Sequence, residues 1–472
     1  MSRIKQIQAI LFILSKIIFL IFISSGCGTL WTSRGQYSSV GRMLEEGDFS
    51  AAAAQIQRSQ HTHYRSKDRV LYLLDLGLLQ HYMGEYEKSN ASLEEAERLI
   101  EEAFTVSISR GAATLLLNDN AQTYRGTDYE DVYINGFKAL NYIALDQADN
   151  AFIEIRRIDE KLKILEDRHW KIAQKYNTAC ETDKEFAPAK NHFQNSAFGR
   201  WLSLLLYRAE NRWDDARIDI EKIRAAWALQ PAVYNFSAPE FSSALTPAAG
   251  GNVKVSFLSF TGQAPEKRAN TLYIHTQADQ IFIAGLEDSD YGKNLAGFAS
   301  LHWPGIEPGY TFKFQLPYIY KHGSNVRRIV ININGKNGWQ MQRIESLENV
   351  AAETFAVQKP VIYLKTVTRT VVKGIGAAQA QNVVENHWGE SHGLIAGLLA
   401  GVAVGVTENA DLRISRFFPA EAHIAEIELP PGLYQIDVVY YGANGNLLYT
   451  DRRNGVEIRR DGLNFIESVY LN

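Results

Sequence analysis

The sequence predicts an α+β, multidomain chain in which N-terminal α-helical repeats precede a mostly β, sandwich-like domain that carries a helical insertion. Three observations lead to this reading. Helical periodicity runs from about residue 38 to about 230. Residues 236–252 then turn rich in Ala, Ser, Pro and Gly, as a linker does. Beyond them, apolar residues alternate with polar ones, as in Ile329, Ile331 and Ile333. A chain of 472 residues is long enough for two or three domains of roughly 100–200 residues.

The N-terminus reads as an export signal. Arg3 and Lys5 precede an apolar run from Ile7 to Ile23, and the run ends in Ser24, Ser25, Gly26 and Cys27. Charge, apolar core and small residues in that order make a secretory signal that is removed on maturation. Lys16, near the middle, argues against a retained span, which needs about 20 consecutive apolar residues. Small residues before a cysteine suit a lipoprotein signal peptidase. The segment resembles a lipobox, with Ser24 where Leu is usual. The expected boundaries are 1–26 for the signal, 27–37 for a tether lipidated at Cys27, 38–235 for the helical repeats, 236–252 for the linker and 253–472 for the β-rich domain. Gly28 follows the cysteine; in Gram-negative lipoproteins an Asp there favours the inner membrane, so the outer membrane, facing the periplasm, is expected.

If Cys27 carries lipid, Cys180 has no partner and the fold must be held by its core. The net charge is −4, with acids and bases interleaved and no basic stripe of a nucleic-acid binder.

The clearest repeat lies between Val70 and Glu97. Leu73, Leu76 and Gly77 share a face of a first helix, Gly84 closes it, and Tyr86, Ser89, Leu93 and Ala96 share a face of a second. Small residues at 77, 89 and 96 let the two helices approach closely. This spacing resembles a tetratricopeptide repeat. Weaker copies centre on Gly47, Phe49, Ala52 and Ile56, on Ala139, Tyr142, Ala151 and Ile155, and on Tyr207, Trp213, Ala216 and Ile220. Ala52, Ser89, Ala151 and Ala216 recur at uneven intervals, longer than the roughly 34 residues of a uniform array. Extra helices at 99–117 and about 158–178 are therefore expected between copies. An irregular bundle without repeat ancestry predicts the same class.

Between two units lie Asn118, Asp119 and Asn120, followed by Tyr124, Arg125 and Gly126. Helical repeats bind extended peptides in a concave groove through Asn and Arg side chains. These residues, with Asn141 and Tyr142, are the candidate partner-binding set. The other reading is a capping and turn segment, since Asn and Asp satisfy free helix ends.

In the second half, strands are expected at 253–260, across 272–283, at 312–319 and 328–333, then at 422–429, 433–441, 447–451, 455–459 and 464–470. The helical insertion is expected at about 340–406. Within it, Gly393, Gly397, Gly401 and Gly405 recur every fourth residue and fall on one helix face. Glycine inside a helix costs about 1 kcal/mol, so close packing is the expected compensation. The helix would span roughly 21 Å at about 1.5 Å per residue, short of the roughly 30 Å hydrocarbon layer. Packing inside the fold, a seam between subunits and insertion into a membrane remain open.

No catalytic set emerges. His387, Glu390 and His392 match no helical metal-binding spacing. Gly374 and Gly376 lack the context of a dinucleotide loop. No metal, cofactor or catalytic residue is assigned, and the chain is expected not to be an enzyme.

The whole resembles a family of uncharacterised, mainly Gram-negative lipoproteins that pair tetratricopeptide-like repeats with a C-terminal β-containing region. The residues that carry the resemblance are Leu71–Ile100, Val106–Arg110, Asn118–Asn120, Tyr124–Gly126, Lys138–Tyr142, Gly262–Lys267, Ala410–Arg413, Pro419–Glu421 and Leu429–Gly432. Ile414 to Phe418 stand where a tryptophan-containing run is expected. The resemblance implies a lipoprotein of repeat architecture and supplies no activity. The expected function is a membrane-anchored, non-enzymatic scaffold that binds an envelope protein or peptide through its repeats and meets the bilayer through Cys27. A component of an export or surface-assembly machine is the alternative; an envelope hydrolase or carbohydrate-binding enzyme is a third.

Overall fold

The structure, a computed structural model, describes residues 35–179, 185–289, 292–303, 306, 308–388 and 409–472. Cys27 and the glycines Gly393, Gly397, Gly401 and Gly405 lie outside the described residues. The layout has two regions, helices first and three mostly antiparallel sheets second.

The helices form four hairpins. They are α1 (Gly35–Glu45) with α2 (Phe49–Arg58), α3 (Arg69–Tyr82) with α4 (Tyr86–Leu116), α5 (Asp128–Ala144) with α6 (Ala148–Ala179), and α7 (Ala197–Ala209) with α8 (Trp213–Leu229). One turn recurs in all four. Its left-handed residue is Gly47, Gly84, Asp146 or Asn211, with φ of 73°, 75°, 58° and 60°. The next amide donates back to the carbonyl five residues earlier: Asp48 to Met43, Glu85 to Gln80, Gln147 to Tyr142 and Arg212 to Tyr207, at 2.8–2.9 Å. This pairing satisfies carbonyls left open at a helix end. Ala52, Ser89, Ala151 and Ala216 stand at the same place after each turn, and all four are fully buried. Ser89 Oγ donates to the Gly77 carbonyl at 2.8 Å, so the small residues bring two backbones together.

The segments read as extra helices at 99–117 and 158–178 are the far halves of α4 and α6, which run 31 and 32 residues without a break. No proline or turn pair interrupts either run, so each helix simply continues.

The strands are β1 (Val253–Gln263), β2 (Glu266–Gln277), β3 (Gln280–Ser289), β4 (Gly292–His302), β5 (Thr311–Tyr320), β6 (Arg328–Ile333), β7 (Lys336–Gln340) and β8 (Gln342–Ser346). After α9 (Leu347–Trp388) come β9 (Pro419–Leu429), β10 (Gly432–Tyr441), β11 (Leu447–Ile458) and β12 (Asn464–Tyr470). They form sheets of order β12-β1-β9-β8, β11-β10-β6-β7 and β4-β3-β2-β5. Where the helical insertion was expected to start, Gln340 ends β7 and 342–346 form β8, which pairs with β9, Gln342 opposite Ile424. β4 had no expectation at all, and 447–458 is one strand rather than two.

β1 is central. Phe257 lies opposite Ala425 of β9 and, in parallel register, Ile466 of β12. Successive side chains of a strand point to opposite faces, and here both faces are covered. Val255 and Phe257 enter a sandwich core with Ile331, Val438 and Tyr440 of the second sheet. Leu258 and Phe260 enter the helical core, where Phe260 stacks on Phe137 at 5.3 Å between ring centroids. The 236–252 stretch is thus no open linker between separate cores. Trp227 Nε1 donates to the Phe236 carbonyl at 2.8 Å, and Ala244 is buried. The third sheet packs Ile274 and Phe314 on Val367 and Val371 of α9.

Candidate functional site

The loop from Asn118 to Gly126 joins α4 to α5 and builds the candidate site. Asn118 caps a short 3-10 turn, its Oδ1 accepting from the Asn120 amide at 2.9 Å. That fixes Asn120, whose Nδ2 donates to the carbonyls of Asn409 and Ala410 at 3.0 and 2.9 Å. The chain from 409 to 418 then follows the helical array. Arg413 reaches the Asp68 carboxylate at 3.0 Å and the carbonyls of Gln122 and Asp119 at 3.0 and 2.8 Å. The Ser415 amide donates to Glu130 at 2.6 Å, and its hydroxyl to Asp75 at 2.7 Å. The Tyr82 hydroxyl donates to the Phe417 carbonyl at 2.8 Å, and Phe418 packs edge-on to Tyr129.

The candidate partner-binding residues therefore divide. Asn118, Asn120, Tyr124 and Asn141 are buried and bonded within the chain. The backbone that Asn120 holds is the protein's own. Tyr124 donates to Glu130 at 2.5 Å. Asn141 joins His81, Ser89 and Asn90 at 2.6–2.9 Å. Tyr142 is half-buried against the helical core. Residues 409–417 of the chain itself thus take up Asn120, Asp68, Glu130, Asp75 and Tyr82. Asp119, Tyr124 and Arg125 of the set line a cavity.

That cavity, about 90 Å³, lies between the 119–126 loop, α6, α9, the β2–β5 pair and the 409–413 segment. Cations dominate its walls. Lys365 Nζ contacts Asp119 Oδ1 at 2.6 Å, and Arg369 Nη1 lies 3.5 Å from Oδ2. Burial pushes the Asp119 carboxyl up, but Lys365 and Arg369 outweigh it and hold the group well below the usual carboxylate range. Burial likewise works against Asp411, and Arg413 overcomes it. Asp128 stands behind the wall, bonded to His169 at 2.9 Å and Gln358 at 3.1 Å; against its burial, His169 and Arg168 hold it low. Burial pushes the Lys267 ammonium down, with Asp411 and Glu130 pulling the other way. Arg125 is half-buried and makes no hydrogen bond or ion pair with any described residue.

Lys267, Lys365, Arg369 and the role of Arg413 were not found in the sequence. Lys365 and Arg369 are four apart on one helix face, a signal that was there to read. Lys267 and Arg413 gave none beyond their place in the resemblance. Among the described residues no group of three or more His, Cys, Asp and Glu could hold a metal ion, and no helix is long and apolar enough to cross a membrane. The side chains of His387, Glu390 and His392 lie outside the described set.

No protein-family model matches the chain, and no curated protein and no solved structure matches it.

Proposed function

We propose that the chain is a lipid-anchored envelope lipoprotein acting as a non-enzymatic scaffold, with helical hairpins of tetratricopeptide kind as its docking framework. The recurrence of one turn and one buried small residue in all four hairpins carries this reading, because such arrays serve as binding platforms. The order of charge, apolar run and Ser25-Gly26-Cys27 supports the anchor. Since Asn120, Asp75, Glu130 and Tyr82 already hold residues 409–417, a partner docks on another, exposed face of the array. Such a face is offered by α6, which exposes Ile153 and Ile164, eleven residues apart and so on one side of the helix.

Two experiments test the proposal. Cys27→Ser should block lipid attachment and leave unprocessed or released protein; a variant that fractionates and migrates like the wild type refutes the anchor. A photocrosslinking residue at 153 or 164, in intact cells, should give a discrete adduct that the same group at buried position 120 does not. Absence of any adduct from the α6 face refutes docking through the helices.

A further inference from the structure

We infer that the cavity beside Arg125 is a binding site for a phosphoryl-class oxyanion. Its walls carry Arg125, Lys267, Lys365, Arg369 and Arg413 against the carboxylates of Asp119 and Asp411. Both carboxylates are already engaged, Asp119 by Lys365 and Asp411 by Arg413. Three further acids stand close by: Asp68 bonded to Arg413, Asp128 to His169, and Glu130 to four uncharged donors, the Tyr124 hydroxyl, the Thr127 amide and hydroxyl and the Ser415 amide. Five cationic side chains line the recess itself against two carboxylates, in a chain whose net charge is −4. Concentrating like charges in a recess is unfavourable unless an anion enters, and low-dielectric walls strengthen the attraction when one does.

The donors fit a tetrahedral dianion. Arg125 offers a planar fork of N–H groups that no acceptor among the described residues uses, and guanidinium forks bind phosphate oxygens in pairs. The lysines serve as point charges behind it. The recess is small, about 90 Å³, which suits one phosphoryl group rather than a nucleotide. Entry is past the 122–126 loop, where Thr123 is exposed. The phosphoryl group could belong to a soluble ester or to a lipid headgroup; the site chemistry is the same for both. This inference does not depend on the scaffold reading.

Calorimetric titration of the full chain in neutral detergent tests it, with inorganic phosphate as first probe and acetate as the monoanion control. Phosphate should bind saturably, with Kd near or below about 1 mM, and acetate at least about tenfold more weakly. Arg125→Gln should weaken phosphate about tenfold or more, the loss expected for a charge-assisted pair. It removes no hydrogen bond or ion pair with a described residue, only the longer-range attraction to Asp119 and Asp128, so its unliganded melting temperature should stay close to the wild type. Arg125→Lys, which keeps the charge without the fork, should fall between. Lys336→Gln, at an exposed turn, should change nothing. Glycerol phosphate and dihexanoyl phosphatidic acid then separate the sources: tighter binding of the second assigns a headgroup, equal binding a soluble ester. No saturable binding by any phosphoryl probe, acetate equal to phosphate, or Arg125→Gln equal to wild type overturns the assignment.

Discussion

The guanidinium of Arg413 and the carboxylate of Asp68 meet at 3.0 Å with their side chains 1% and 3% exposed, although 345 residues separate them. The same guanidinium holds Asp411 and two carbonyls of the 119–122 turn, and it lies over the Tyr124 ring. It ties the entry of α3, the α4–α5 loop and the approach to β9 into one joint.

Removing it should be costly. Arg413→Met leaves Asp68 and Asp411 without their shared cation, and breaking a buried ion pair in this way costs about 3–5 kcal/mol. Arg413→Lys keeps charge but cannot serve two carboxylates and two carbonyls at once, so it should recover only part of the loss. Urea unfolding followed by tryptophan fluorescence measures both. An Arg413→Met protein within about 1 kcal/mol of wild type would show that the joint contributes little.

Asp75 makes stability depend on pH. Burial lifts its carboxyl from about 3.8 to about 7, against the hydrogen bonds it accepts from Tyr64, Ser415 and Tyr37. Glu345, buried and bonded to Tyr133, Phe198 and Tyr234, is likewise raised to about 7. A carboxyl raised on folding makes the folded state bind more protons than the unfolded chain. Its contribution is full below about pH 4 and is lost as pH rises through about 7. Asp75→Asn should flatten part of that decline, by roughly 2–4 kcal/mol across the window. Chemical denaturation at intervals between pH 5 and pH 8 checks it; an unchanged slope in the variant disproves the assignment.

Two glycines should respond to bulk for different reasons. A Cβ on Gly77 would lie 2.8 Å from Leu93 Cδ2, and Leu93 is fully buried. Gly77→Val should cost about 1–3 kcal/mol through overpacking. At Gly84 nothing lies within 4 Å, but φ is +75°. Gly84→Ala should cost roughly 1–2 kcal/mol through backbone strain alone, and Gly84→Asn less, since Asn tolerates that conformation. Thermal unfolding of the three variants tests the distinction; Asn as damaging as Ala at 84 would rule out the strain account.

The helical and β regions should unfold together. Phe137, Phe198 and Trp201 from the helices share a buried cluster with Leu258, Phe260 and Ile424 from the strands and Phe418 just before β9. A fragment ending near residue 235 would expose that surface and should not fold alone. Helical circular dichroism and tryptophan emission should report one coincident transition in the full chain. A fragment that melts cooperatively on its own would contradict this coupling.

Much of the helical region was legible because its signals are local. A turn closed by a left-handed residue is complete within six residues, so Gly47 and Gly84 announce it, and Ala52 and Ser89 follow at fixed distance. Asp146 and Asn211 take the same conformation less openly, since L-residues there are uncommon. Alternation at Ile329, Ile331 and Ile333 marks β6 for the same reason: its period is written in consecutive residues. β7 had no expectation, and β8 was misread as helix because Gln342–Ser346 is too short to show a period and only its pairing with β9 decides. Packing alone decided that β1 is covered on both faces, that Asn120 holds Ala410, and that Arg125, Lys267 and Lys365 converge on one cavity. Those relationships join residues far apart in the chain. They exist only where burial has brought the residues together, and a charge or amide carries no mark in the sequence of the partner that burial will give it.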